Sequence, residues 1–323
     1  MEHRSFGRSG VKVSPLCLGT MQFGWTADEK ASFEVLDAAY DAGINFIDTA
    51  DIYSRWIDGN PGGVAESIIG KWLRKNPEKR PQVILATKVR GRMGEAPNDE
   101  GLSRKHIFSA VEQSLKRLGT DYIDLYQVHW PDESTPIEET LRALDDLVRD
   151  GRVLYIGCSN YPAWRLMESL WTSDRCRLTS FISLQPHYNL VHRDEFEREL
   201  EDICLKFDIG VIPYSPLAGG FLTGKYAGDQ TPPEGSRGAT SNRIQAYLMD
   251  PHSLSTLEIV KQIALGRQKS PSQVALRWLI SRPAVVSAII GPRDLEQLED
   301  NLGCLSVELS DEDMQRLDEA SAW

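Results

Sequence analysis

Three apolar runs in this sequence end on ionisable side chains: "NFID" on Asp48, "VILATK" on Lys88 and "YIDLYQVH" on His129. A charge at the end of a buried run has to be paired or put to use, because burying it alone is too costly. The three groups are separated by 40 and 41 residues, about one strand plus one helix each time. Neighbouring strands lie about 5 Å apart, so three adjacent strand ends can bring these side chains into one cluster. Alternation puts Ile123, Leu125, Gln127 and His129 on one strand face. Tyr53 follows Asp48 by five residues, in a loop that can fold over the cluster.

Such a cluster implies proton transfer. A free phenol has a pKa of about 10, too high for easy exchange near neutrality. A lysine cation beside the phenolic oxygen is expected to lower it, and a carboxylate keeps that lysine charged and in place. A neutral histidine alongside can donate a hydrogen bond to a carbonyl oxygen as negative charge develops there. The cluster holds no electron carrier, so a redox reaction would need an organic cofactor. Any one of these residues alone reads as a structural ion pair or a satisfied histidine; their shared register sets them apart. Asp51, inside the same "NFIDTADIY" segment, has no assigned role and is expected to be a solvated or capping loop residue.

The elements needed to position these groups are legible in the pattern. Apolar runs of strand length occur at 16–19, 45–48, 83–88, 122–129, 153–159, 181–185, 210–215 and 286–291. Segments with helical spacing lie between them, at 27–43, 64–76, 103–119, 135–151, 162–171, 194–207 and 270–282. Ser103 and Thr135 sit where N-caps belong, and Gly43, Gly119 and Gly151 where helices stop. Eight strands alternating with helices predict an α/β fold, a (β/α)8 TIM barrel in preference to a doubly wound sheet. A short β-hairpin at "HRSFGRSGVKVS" precedes it, and a helix starting after Ser310 follows. Residues 1–323 read as one domain. The Gly-, Pro- and Ser-rich span 217–254 is expected to be a long cofactor or substrate loop.

The bulk composition narrows the partners. A net charge of -11 leaves no basic excess for phosphate backbones or anionic membranes, so small molecules are expected and nucleic acid is not. The five cysteines are scattered, without CxxC or CxxH spacing, and read as reduced packing residues. No metal site is expected; "HYNLVH" (187–192) offers two histidines without a third ligand. "GGFLTGK" (219–225) approaches a phosphate-binding loop, but Tyr226 stands where such a loop needs Ser or Thr. With no apolar segment of signal-peptide or membrane-span length, a cytoplasmic protein is expected.

Several longer segments carry a resemblance: "NFIDTADIY", "LATK", "DLYQVHW", "YIGCSN", "LQPHYNL", "PYSPLAGGFLTGKY" and "IIGPRDLEQLEDN", in this order. With "SPLCLGTMQFG" at the start they cover nearly the whole chain, which resembles the aldo-keto reductases, nicotinamide-dependent oxidoreductases on a (β/α)8 barrel. The resemblance implies a catalytic tetrad of Asp48, Tyr53, Lys88 and His129, with Tyr53 as general acid. It implies that Ser159, Asn160 and Gln185 hold the nicotinamide carboxamide while Tyr214 lies under the ring. Gly19, Thr20 and Met21 would line the same cleft beside Asp48, and Ser215, Pro216, Leu217, Gly219 and Lys225 the pyrophosphate. Gly291, Arg293, Gln297 and Asn301 would take the adenine end, where an arginine favours NADP(H) over NAD(H). Trp25, Trp56 and Trp130 are expected to wall the substrate pocket.

The reading is reduction of an aldehyde, ketone or sugar, or the reverse oxidation. The alternative is a regulatory, cofactor-binding subunit resembling potassium-channel beta subunits, with little turnover. Against that alternative, the barrel is expected to begin within a few residues of Met1. A lyase or isomerase on the same barrel would explain neither Tyr214 nor the adenine-end match. Substrate, direction and oligomeric state are left open.

Overall fold

The computed structural model describes residues 1–226 and 241–323. Strands β1 (Arg4–Ser5) and β2 (Lys12–Val13) form the expected antiparallel hairpin. Its turn needs Gly7, where φ is 52° and an added Cβ would lie 2.7 Å from two backbone oxygens. The hairpin carries Phe6 into the barrel floor, edge-on to Phe46 at 5.3 Å.

Eight parallel strands follow: β3 (Leu16–Gly19), β4 (Phe46–Asp48), β5 (Ile84–Val89), β6 (Ile123–Val128), β7 (Val153–Ser159), β8 (Ser183–Gln185), β9 (Gly210–Val211) and β10 (Ala288–Ile290). They pair in the order β10-β3-β4-β5-β6-β7-β8-β9. The two ends of this order meet through a bridge between Val211 and Val285 and the bond from Val286 N to Val211 O at 2.9 Å. The result is a (β/α)8 barrel with an N-terminal hairpin. Strand alternation divides the core: Cys17, Phe46, Ala86, Leu125 and Ile289 face inward, while Leu18, Ile47, Leu85, Tyr126 and Ile290 face the helices. Asp48, Lys88 and Gln127 stand two residues beyond inward-facing Phe46, Ala86 and Leu125, and so point into the barrel at its carboxyl end.

Helices α1 (Glu29–Asp41), α2 (Val64–Lys75), α3 (Arg104–Leu118), α4 (Ile137–Arg149) and α5 (Ala163–Cys176) fill the expected segments. The segment 194–207 divides into α6 (Asp194–Glu197) and α7 (Leu200–Phe207), because Glu199 departs from helical geometry at φ -143°. Ser103 caps α3 by accepting from His106 N, but Thr135 does not cap α4: the cap residue is Pro136, and the Thr135 hydroxyl donates to Asp132 at 2.7 Å. Within the span 217–254, residues 227–240 lie outside the described residues. The end of that span is helical, contrary to the expectation of a loop. Helix α8 (Asn242–Met249) is followed at once by α9 (Pro251–Arg267), which Asp250 caps by accepting from His252 N and Ser253 N. Then come α10 (Pro271–Ile280), α11 (Leu295–Leu302) and the tail helix α12 (Asp311–Ala320), which Ser310 caps as expected. Among the described residues no helix is long and apolar enough to cross a membrane.

Candidate active site

Lys88, at the end of β5, is fully buried, and its ammonium donates three hydrogen bonds: to Asp48 Oδ2 at 2.5 Å, Thr49 O at 3.0 Å and Tyr53 Oη at 3.0 Å. Three donors meet three acceptors, so the cation is fixed in position. The other carboxylate oxygen of Asp48 accepts from Gln127 Nε2 at 2.9 Å and Gln185 Nε2 at 3.0 Å. Burial alone would push the lysine toward its neutral form, but Asp48 and Tyr53 outweigh it and raise its pKa. It is therefore a permanent cation. The phenol of Tyr53 departs from expectation: burial raises its pKa, and Lys88 opposes that rise without cancelling it. Tyr53 is thus held firmly as the proton-bearing phenol.

His129, just past β6, is buried with its backbone clamped on both sides. Its N–H donates to Val89 O at 2.9 Å and its carbonyl accepts from Asn160 Nδ2 at 2.9 Å. Burial, then the positive charges of Lys88 and Arg90, push its pKa well below the usual histidine value, so the imidazole is neutral. The ring stacks on Trp130 at 3.7 Å and lies 6.0 Å from the Tyr53 ring. Trp56 meets Tyr53 edge-on at 6.3 Å and Trp25 meets Trp56 at 5.5 Å. Trp25, Trp56 and Trp130 are 39%, 49% and 39% exposed, which makes them a rim and not core packing.

A second polar chain runs from the tetrad toward β9. Ser159 Oγ donates to Gln185 O at 2.8 Å, Asn160 Nδ2 to Ser159 Oγ at 3.0 Å, and the Tyr214 hydroxyl to Asn160 Oδ1 at 2.9 Å. Ser159, Asn160 and Tyr214 are thus brought together. Gln185 joins the tetrad carboxylate as well, a role not expected of it. Gly19 ends β3 and Gly291 follows β10; a Cβ added at Gly291 would approach only Gly19 O, at 4.0 Å, whereas one at Gly19 would run into the Ile289 side chain. Thr20 donates to Asp48 O at 3.0 Å, and half-buried Met21 follows it. Ser215, Ala218, Gly219 and Gly220 all have positive φ, which coils the backbone through Pro216 and Leu217 after β9. Lys225 is exposed beyond that turn. Arg293 is exposed before α11 with Gln297 Oε1 accepting from its N–H at 3.2 Å, while Asn301 is buried on the helix itself.

A model of the "Aldo/keto reductase family" matches residues 15–322. The chain belongs to the aldo/keto reductase family. It is 39% identical to "Uncharacterized oxidoreductase YrpG" of Bacillus subtilis (strain 168), across 99% of this chain and 95% of the relative. It is 34% identical to "Versiconal hemiacetal acetate reductase" of Aspergillus parasiticus, across 99% and 96%. It is also 37% identical to a "Probable voltage-gated potassium channel subunit beta" of Oryza sativa subsp. japonica, across 95% and 92%.

Three side chains of this aldo/keto reductase barrel have places that the sequence reading missed. Gln127 fastens Asp48; its position on the His129 strand face was the available signal. His187 is buried, and stacks on Tyr214 at 5.2 Å and on His192 at 3.9 Å. Burial lowers its pKa to about 3, so it backs Tyr214 as a neutral ring. Asp51 is fully buried, not solvated, and neither carboxyl oxygen has a hydrogen-bond partner among the described residues. Burial and the nearby charge of Glu66 raise its pKa well above the carboxylate range, with Arg117 opposing. It faces away from the tetrad, into a cavity of about 230 Å³ lined also by Asp99, His106, Gln113 and Arg117. All five cysteines are free, and four are buried. Among the described residues no group of three or more His, Cys, Asp or Glu side chains is placed to hold a metal ion.

Proposed function

We propose that this member of the aldo/keto reductase family transfers a hydride between NADP(H) and an aldehyde, ketone or sugar, with Tyr53 as the general acid. The observation that carries the reading is the 3.0 Å hydrogen bond from Lys88 Nζ to Tyr53 Oη, with the same ammonium held by Asp48 at 2.5 Å. The remaining groups fit a nicotinamide cofactor. His187 stacks on one face of Tyr214, the other would take a flat ring, and Gly291 leaves open space just past β10. Ser159, Asn160 and Gln185 offer amide and hydroxyl groups for the carboxamide, with Thr20, Met21 and Asp48 beside them. Ser215, Pro216, Leu217, Gly219 and Lys225 would follow the pyrophosphate, and Arg293, Gln297 and Asn301 the adenine end. The exposed Arg293 guanidinium suits a 2′-phosphate and supports NADP(H) over NAD(H).

When bound, the reduced cofactor supplies a hydride for the carbonyl carbon. The residues supply the rest. As the C=O bond opens, the phenolic proton of Tyr53 passes to the carbonyl oxygen, and Lys88 stabilises the phenolate left behind. The neutral His129 imidazole donates a hydrogen bond to that oxygen and orients it. Trp25, Trp56 and Trp130 hold the substrate over the site. The product is an alcohol, and Tyr53 regains its proton from solvent.

Tyr53→Phe is expected to lower kcat by about 10²- to 10⁴-fold, the range of general acid catalysis. Cofactor affinity, read by fluorescence titration, should stay within about threefold of the parent. Loss of cofactor binding in that variant would refute the assigned role. A carbonyl panel assayed with NADPH and NADH in parallel tests the reaction and the cofactor preference together. Relatives named as channel subunits give the rival reading, which a stably co-purifying protein partner and only trace turnover would favour. A small-molecule substrate and a cytoplasmic location belong to the same reading.

A further inference from the structure

Arg90 directly follows β5, and the carbonyl of its neighbour Val89 accepts from His129 N at 2.9 Å, so its backbone lies beside that histidine. Burial first, then the charges of Lys88 and Arg90, lower the His129 pKa, in keeping with that neighbourhood. Among the described residues it makes no side-chain hydrogen bond and no ion pair, and its Nε is buried without a partner. Neighbouring arginines behave differently: Arg92 donates to Gly94 O at 3.0 Å, and Arg55 lies 3.7 Å from Glu95. Nor is the chain short of acids, with 47 Asp and Glu against 36 Lys and Arg. An arginine normally finds a carboxylate in such a surplus. The Arg90 backbone is also held at φ 125°, a region that side chains rarely adopt, with its carbonyl bonded by Gly101 N at 3.0 Å. A buried donor left unsatisfied and a strained backbone both cost stability, and a bound anion would offset the first.

We propose that Arg90 binds an anionic oxygen group on the substrate, so that this site is built for carbonyl compounds that carry a carboxylate or a phosphate. The proposal rests on the oxidoreductase reading above for the carbonyl, and on Arg90 alone for the charge. A planar guanidinium can take two oxygens of either group at once, which fixes the molecule relative to Tyr53 and His129.

The test compares molecules that differ in charge and little in shape. The 2-, 3- and 4-formylbenzoates are assayed with NADPH against their methyl esters, with 4-formylphenyl phosphate as the phosphate arm. The parent protein should favour at least one anionic aldehyde over its neutral counterpart by about tenfold or more in kcat/KM. Arg90→Met should reduce that anion-to-neutral ratio by about 10- to 100-fold, the range of a charge-assisted hydrogen bond. Arg90→Lys should restore part of it, and thermal unfolding checks that both variants fold. Binding of benzoate and of phenyl phosphate, read by the fluorescence of the rim tryptophans, needs no turnover and separates the two readings. Selective anion binding that Arg90→Met abolishes would support the proposal even if every aldehyde proved inert, which would sink only the oxidoreductase reading. An anion-to-neutral ratio near one in the parent, or one unchanged by Arg90→Met, would overturn it, as would equal benzoate binding in both proteins.

Discussion

At the scale of single residues, the site separates two buried acids that lie three positions apart. Asp48 is satisfied by Lys88, Gln127 and Gln185, whereas Asp51 has no hydrogen-bond partner among the described residues and a raised pKa. The consequence for stability has a definite sign. In the unfolded chain an aspartate gives up its proton near pH 4, while the folded protein holds it to higher pH. Between those two values the folded state binds more protons, so stability falls as pH rises, by up to about 1.4 kcal/mol per pH unit. Asp51→Asn removes that proton from the balance. Urea unfolding should show the variant gaining on the parent between pH 5 and pH 8; a difference independent of pH would refute the buried, proton-bearing Asp51. That Asp48, Tyr53, Lys88 and His129 lie together was legible in the sequence because ionisable residues closed apolar runs at matching intervals. Asp51 was not, because its burial is imposed by α2 and α3, which come later in the chain. The high pKa of Tyr53 was hidden for a related reason: the effect of a nearby lysine can be read from spacing, but the depth of burial cannot.

At the scale of elements, strand order and most helices followed from periodicity, and the failures share a cause. "DPHS" at 250–253 falls in the span expected to be a loop, yet Asp250 is an N-cap and Pro251 the first residue of α9, where a proline costs nothing. The same residues that signal a loop also start helices. Thr135 shows the converse, since a hydroxyl in the capping place finds Asp132 a better partner than a backbone N–H. Packing between elements sets a requirement that no local pattern displays. Gly70 is in the middle of α2, where glycine is unfavourable by about 1 kcal/mol relative to alanine. A Cβ there would lie 2.1 Å from Arg117 O at the end of α3, so the two helices pack as closely as they do only because it is absent. Gly70→Ala should therefore destabilise the protein by about 1–3 kcal/mol in denaturant unfolding despite its better helix propensity. A stabilised variant would mean that α2 and α3 are farther apart than described.

At the scale of the whole molecule, the barrel places its structural closure and its chemistry in different layers of one interior. Phe6 from the hairpin is 1% exposed and packs on Phe46, and Asp48 stands two residues further along the same strand, about 7 Å higher. The lower layer is held by apolar contact, whereas the upper is held by directed bonds from Lys88, Gln127 and Gln185 to one carboxylate. These two kinds of support should fail independently. Phe6→Ala removes a buried ring and should cost about 3–5 kcal/mol of stability. Because no bond to Asp48 or Lys88 comes from the hairpin, kcat/KM per folded molecule should change by less than about threefold. Tyr53→Phe should show the reverse, with activity lost and unfolding free energy nearly kept. Measuring both quantities on both variants makes the comparison decisive: a large loss of kcat/KM in folded Phe6→Ala would show that the floor of the barrel positions the tetrad, and that the two layers are mechanically one.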